Sequence, residues 1–505
     1  MEKNFVWITI AVYALVMLIF GFLAGKKTDS LAGLTVGKRN AGAWLTAMSY
    51  GCAYFSAVMF IGYSGASGWN YGLWAVLVGI GNAIFGSLLA WKVLAKRTRA
   101  LSHHYHIKSM PQMFEKRFGS NKMRIFASVV IFIFLLPYSA SVYKGLASVC
   151  SVLLGMDDTL CMVVIAILSA LLLVFGGYLA TIKADFIQGI VIFIGVCFLI
   201  FFVLRSDVVV SGGGIGGLID KMKETGVSPL SNKSAIALLA TVLMTSFGTW
   251  GLPQMVHKYY GIKDEQEIKR GTIISTIFAF VVAGGGYFIG GFARMFFTTE
   301  QFNAIGGADF VVPHMLKTSG ISEIMLGIVI VLLISASVST LSSIAISGCT
   351  TVVMDIIKPR AKNLKPDKFY ANLLKVFFVL FVALSYIVAN TNTPILDMMS
   401  YSWGILSGSF LAPYLLSLYG KKITKAASWI GMLTGFIIAL IPAVCKIVLI
   451  LLPTSDLAIL SLAGYGPHFA VGAIIISFVA TFIANPFCRK FGSKTNEDFY
   501  IQANV

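Results

Sequence analysis

The stretch "SASVSTLSSIAISGCT", residues 335–350, decides how this chain is read. It lies in an apolar run over about 321–350, yet Ser or Thr fills half of its positions. Hydrocarbon offers no partner to a hydroxyl, so these oxygens must face a neighbouring helix, water or an ion. Ala336, Ser339 and Thr340 stand at i, i+3 and i+4, and Ser342 and Ser343 repeat the pattern one turn later. That spacing puts all five on one helical face. Small residues on a face allow close packing of membrane helices. Five exceed what packing needs, and hydroxyls with freed backbone carbonyls supply the oxygen ligands that a hard cation such as Na+ prefers.

The surrounding chain is a membrane protein. Of 505 residues, 57% are hydrophobic and 12% charged, against about 25% charged in soluble domains. Apolar runs of membrane-crossing length recur, and thirteen spans can be placed along the sequence. The net charge of +18 would suggest nucleic acid in a soluble chain, but here its distribution matters more. With spans assigned by alternation, 29 of the 39 Lys and Arg fall on one side. Positive charge marks the cytoplasmic side, so the reading is a multi-pass protein of the plasma (inner) membrane, N-terminus outside and C-terminus inside. The lipid bilayer is its solvent, no nucleic acid is expected as a partner, and no oligomer is required. The seven cysteines show no paired spacing and read as packing residues. No phosphate loop, zinc spacing or nucleophile motif is visible, so neither an ATP-driven pump nor an enzyme is expected.

Two spans are unusually rich in polar residues, Gly and Pro. The second reads "MSYGCAYFSAVMFIGYSGASGW" (48–69) and the seventh "MTSFGTWGLPQMVHKYY" (244–260). Proline removes a donor inside a helix, and matched broken helices in two inverted halves mark transporter sites near the midplane. The two spans are five apart, so two five-helix units starting there have opposite topology. The expected division is an N-terminal helix and first loop (1–43), a first repeat (44–205), an external loop (206–233), a second repeat (234–419), and two C-terminal helices with a tail (420–505).

Two charges stand inside or at the edge of apolar runs. Asp185 opens the sixth span, where a carboxylate either caps the helix or serves as an ion or proton ligand. Lys144 lies deep in the fourth span, and a buried ammonium needs a carboxylate from the protein or from a solute.

At these residues the chain resembles the sodium/solute symporter family of bacterial proline, sugar, sialic acid and pantothenate transporters. The resemblance is carried by "GKRNAGAWLTAMSYGCAYFSAVMFIGYSG", "GGYLATIKADFIQG", "SASVSTLSS" and "SYSWGILSGSFLAPYLLSLYGKKITKAASWIGMLTG". It implies an all-α LeuT-like fold, a 5+5 inverted repeat with one additional N-terminal and two C-terminal helices. It implies a main Na+ site on backbone carbonyls of Cys52, Phe55 and Ala336 and hydroxyls of Ser339 and Thr340. Asp185, Ser342 and Ser343, with Ser339 between the two sites, resemble a second Na+ site found in some members. Solute is then expected near Ser56, Met59, Tyr138, Thr249, Trp250, Pro253 and Trp403, with Lys144 a further candidate.

Three departures separate the chain from the family pattern. Ala184 replaces the Thr that usually precedes the span 6 aspartate. Tyr54 stands where proline transporters carry an acid, and Met59 where sugar transporters carry Gln. The expected function is Na+-coupled import of a small organic solute, with an amino acid or small carboxylate favoured. A proton-coupled permease of the same fold, with Asp185 titrating, is the alternative, and an ion channel is a weaker one.

Overall fold

The computed structural model describes residues 4–25, 31–37, 39–227, 232–320, 322–361, 363, 365–391, 393–452 and 458–503. Among these residues the chain is helical throughout, and extended pairing is limited to a parallel bridge between Ala41 and Ile262. Helices satisfy every backbone group within one segment, which is what a run of apolar residues in lipid demands. Ten helical stretches are long and apolar enough to cross a membrane, and Asn4–Met17 is a shorter apolar one.

The first helix, α1 (Asn4–Gly25), is followed by α2 (Ala43–Tyr54), which stops where Phe55 turns to φ −108°, ψ 104°. The chain resumes through a π-type turn over Val58–Tyr63 and then α3 (Ser64–Tyr71). A helix end leaves its last carbonyls without intrahelical donors, and at this end they belong to residues facing the core. The same device recurs downstream. Helix α4 (Asn121–Leu154) and the long α5 (Asp158–Arg205) come first, then α6 (Asn232–Phe247) runs into a tight turn over Gly248–Gly251. Leu252 is extended at φ −85°, ψ 123°, and α7 (Pro253–Tyr260) begins on Pro253. Proline has no N–H to offer α6 but fits the first turn of a new helix, so it fixes the break.

Helix α5 is bent at Gly177, whose φ of 56° and ψ of −164° only glycine adopts readily. A Cβ there would lie 2.4 Å from Leu34 Cδ2. The bend corrects the expectation that span 6 opens at Asp185. Helix resumes before Thr181, whose hydroxyl donates to Gly177 O at 2.8 Å, and Asp185 lies past the first turn. Its carboxylate is therefore free of capping and points to side chains.

Helix α8 (Glu265–Gly291) backs the first break, with Gly68 so close to Gly290 O that a Cβ would lie 1.8 Å away. Helix α9 (Glu323–Thr350) carries the hydroxyl face and packs against α1, α2, α4 and α5. Helices α10 (Asp367–Ala389), α11 (Ile395–Tyr419), α12 (Lys425–Leu451) and α13 (Gly466–Lys490) complete the bundle. At the lysine- and arginine-rich end, the segments before α2 and after α7 are tied together. Ala41 N–H donates to Gly261 O at 3.0 Å, Lys263 N–H donates to Ala41 O at 3.1 Å, and Ala43 N–H donates to the Glu267 carboxylate at 2.5 Å. Arg39 reaches Ser102 O and Ile107 O at 2.6 and 2.8 Å.

Candidate ion and solute site

The hydroxyl face of α9 meets the break after α2. Thr340 Oγ1 lies 2.8 Å from Cys52 O and 2.9 Å from Ala336 O, so three of the expected ligands converge. Cys52 is among the last residues of α2, and its carbonyl is one that the break frees. Phe55 stands at the break itself and is buried. This donor set is made of neutral oxygens in a buried position, and it fits a hard monovalent cation without a buried countercharge.

Ser339, one residue away, turns elsewhere. Its hydroxyl donates to Asp185 Oδ1 at 2.5 Å, and Ser49 on α2 donates to the other carboxylate oxygen. Cys52 Sγ also reaches the Asp185 backbone carbonyl at 3.3 Å. Ser342 and Ser343 are buried on the same face of α9. The structure then adds a group absent from the sequence expectation. Lys258, on α7, brings its ammonium 3.5 Å from Asp185 Oδ2, 2.8 Å from Ser49 Oγ and 2.9 Å from Ser343 Oγ. The pair is almost wholly enclosed, with Lys258 and Asp185 side chains 3% and 0% exposed.

Lys258 lies inside the quoted seventh span (244–260), but the apolar run ends near Val256 and the sequence gives the lysine no role. The signal was nevertheless present: a helix restarting at Pro253 needs at least two turns to hold together, and that carries it past Lys258.

The expected solute residues gather less evenly. Tyr138 and Trp403 pack edge to face at 5.5 Å, and Trp403 also lies against Tyr54 at 6.2 Å. Tyr138 hydroxyl reaches Ala53 O, another carbonyl of the break, at 3.5 Å. Ser56 accepts from Val58 N–H at 3.3 Å, and Met59 is buried beside Gly286. Thr249 bonds Ser246 O at 2.8 Å within the second break, where Pro253 is also buried. Trp250 spends its indole N–H on Phe85 O at 3.0 Å and packs on Phe247 at 5.3 Å. A residue missed in the sequence is Gln254, directly after Pro253. It is 1% exposed, and neither amide atom finds a hydrogen-bond partner among the described residues. A buried amide left unsatisfied costs about 1–3 kcal/mol, so Gln254 joins the candidate solute residues.

Lys144 sits apart from this group. Six residues beyond Tyr138 on α4, its ammonium donates to Thr391 O at 2.6 Å and Thr393 O at 2.9 Å. It lines a hollow of about 460 Å³ with Asp158, Asp309 and Lys446. Burial pushes the Asp309 carboxyl above the usual range, opposed by the Ile395 N–H it accepts at 3.0 Å and by Lys144. Lys144 thus has protein partners, which removes the need for a solute carboxylate.

Comparison with known proteins agrees with this architecture. The high-affinity proline transporter PutP of Bacillus subtilis is 27% identical over 434 residues, covering 83% of this chain and 88% of its own. A sodium/proline symporter of Staphylococcus aureus is 23% identical, covering 97% of this chain and 94% of its own. Among solved structures, a substrate-bound, outward-open Na+-coupled sialic acid symporter superposes with a TM-score of 0.77 at 16% identity, covering 96% of this chain and 97% of that one. A manganese transporter of Eremococcus coleocola superposes at 0.53 and 14% identity, covering 88% and 95%. These likenesses identify the fold as LeuT-like. The model of the sodium:solute symporter family matches residues 34–435, about four-fifths of the sequence, so the chain belongs to the sodium:solute symporter family of membrane transporters.

Proposed function

We propose that this chain imports a small organic solute, an amino acid or small carboxylate, together with Na+ by alternating access. The observation that carries the reading is Thr340 Oγ1 at 2.8 Å from Cys52 O, where the hydroxyl face of α9 meets the break after α2. Carbonyls of Cys52, Phe55 and Ala336 with the hydroxyl of Thr340 are the proposed Na+ ligands, while the hydroxyl of Ser339, expected as a further ligand, is directed to Asp185. Binding there ties α2 to α9 and completes a solute pocket near Ser56, Met59, Tyr138, Thr249, Pro253, Gln254 and Trp403. Relatives named as proline transporters support an amino acid as solute, while Tyr54 and Met59 keep the identity of that solute open to test.

The proposed topology has thirteen spans divided at 43/44, 205/206, 233/234 and 419/420, with the N-terminus outside and the lysine-rich end in the cytoplasm. In that frame the ties between Ala41, Gly261, Lys263 and Glu267 close the inner face. A tenfold Na+ gradient is worth about 1.4 kcal/mol and 100 mV about 2.3 kcal/mol, so one ion supports roughly 500-fold accumulation of a neutral solute.

The test is thermal stability of the purified protein, titrated with Na+ and screened against L-proline, other amino acids, small carboxylates and sugars. A solute that stabilises only with Na+ present supports the reading. Thr340→Ala should raise the Na+ requirement at least tenfold. Uptake in Na+-free buffer driven by a pH gradient would overturn it.

A further inference from the structure

The Asp185 position was expected to hold a second Na+, and its surroundings do not fit one. The oxygens available there are Asp185 Oδ1 and Oδ2, Ser49 Oγ, Ser339 Oγ and Ser343 Oγ. Three of them already surround Lys258 Nζ, at 2.8, 2.9 and 3.5 Å. An ammonium carries three N–H donors and no acceptor, so those donors match three oxygens drawn from three different segments, α2, α9 and α5. The charge is balanced as well. Asp185 is the one carboxylate paired with Lys258 among the described residues, and a Na+ added beside it would set two buried cations against one anion. Like charges a few ångströms apart in a dry interior repel strongly. The Tyr178 ring also faces the ammonium, its centroid 6.0 Å from Nζ.

We infer that the Lys258 ammonium, set among Ser49, Ser343 and Asp185, is the resident cation of this position, so that the chain fills the second site itself and carries no Na+ there. The tethered charge does the structural work of an ion, linking α2, α5, α7 and α9, but it is not released to the cytoplasm. The coupling stoichiometry is then one Na+ per cycle, bound at Thr340, a count that rests on the function proposed above. The concentrating ceiling for a neutral solute is the roughly 500-fold of one ion and not its square.

Binding of radiolabelled Na+ to the purified full-length protein, counted per chain without solute, tests this directly. Wild type should saturate at one ion, and Asp185→Asn should give the same count. Lys258→Met, which removes the tethered cation and leaves the carboxylate, should gain one ion over wild type. Lys258→Met combined with Asp185→Asn should return to the wild-type count. Two ions on wild type, falling to one in Asp185→Asn, would overturn the inference, as would a Lys258→Met protein with no added ion. If Lys258→Met does not fold, the comparison of wild type with Asp185→Asn still decides. Failure of the Thr340 site gives a different pattern: none on wild type and one on Lys258→Met, which sinks the proposed Na+ coupling and leaves the role of Lys258 standing.

Discussion

The Lys258–Asp185 pair makes a quantitative prediction about stability. Both side chains are enclosed, at 3% and 0% exposure, and both are hydrogen-bonded to α2 and α9. Removing one partner of such a pair strands a buried charge, which costs about 3–5 kcal/mol, whereas replacing both is often close to neutral. Lys258→Met and Asp185→Asn should each lower the midpoint of thermal unfolding strongly, and the double variant should recover most of the loss. The two single variants should also part company in salt. A cation bound only by the folded state stabilises by about 2.7 kcal/mol at a hundredfold excess over its dissociation constant. Na+ should therefore rescue Lys258→Met, which keeps the Asp185 carboxylate, more than it rescues Asp185→Asn. Unfolding of the four proteins in detergent, in Na+ and in choline, measures the cycle. A double variant as unstable as the sum of the singles would refute the reasoning, because the two charges would then be acting independently.

Two predictions concern the hollow beside Lys144. Lys144→Met removes charged hydrogen bonds to Thr391 O and Thr393 O, each kind worth about 1.5–3 kcal/mol, so it should lower stability while leaving the KM for solute within about threefold. A tenfold or greater rise in KM at unchanged stability would return Lys144 to the solute site. Asp309 has its carboxyl raised by burial, so the folded state binds its proton more tightly than the unfolded state does. The stabilisation is complete below the unfolded value, about 4, and is lost as pH rises through the folded one. Stability measured over the acid range should fall with rising pH in wild type, and Asp309→Asn should flatten that slope.

Much of the architecture was legible because lipid imposes it. Apolar length and hydroxyl spacing are local properties, and the face holding Ala336, Ser339, Thr340, Ser342 and Ser343 follows from helical period alone. The breaks near Phe55 and Pro253 were legible for the same reason, since Gly and Pro act on their own backbone. What escaped was whatever depends on where a helix ends. Asp185 was placed at the opening of its span because the bend at Gly177, set by one backbone conformation, lies outside hydropathy. Lys258 drew no role because a short half-helix of mixed polarity, "PQMVHKYY", carries no apolar run to mark its side chain as buried. Lys144 was seen, but its partners are backbone carbonyls of Thr391 and Thr393, which no residue type announces.

Those misses share a consequence for how the cycle works. Thr340 and Ser339 are neighbours on α9, yet one faces neutral carbonyls at a helix break and the other a carboxylate already paired with an ammonium. An ion held at the first position can leave, because its ligands are dipoles that rehydrate without leaving a charge behind. The ammonium at the second position moves only as far as α7 moves. Its contacts with Asp185 on α5 and Ser343 on α9 must break if α7 separates from those helices, and its contact with Ser49 must break if α7 separates from α2. The ties among Ala41, Gly261, Lys263 and Glu267 join the α2 entry to the α7 exit and favour motion of α2 and α7 as one piece. Opening that end therefore requires losing two contacts of Lys258 while keeping the third. Ser343→Ala deletes a contact that opening must break, so it should shift the protein toward the open end. The assay is the rate at which a cysteine placed at this end reacts with a thiol reagent, with and without Na+, and labelling of Ser343→Ala no faster than that of the parent protein would show that Lys258 does not latch α7 to α9.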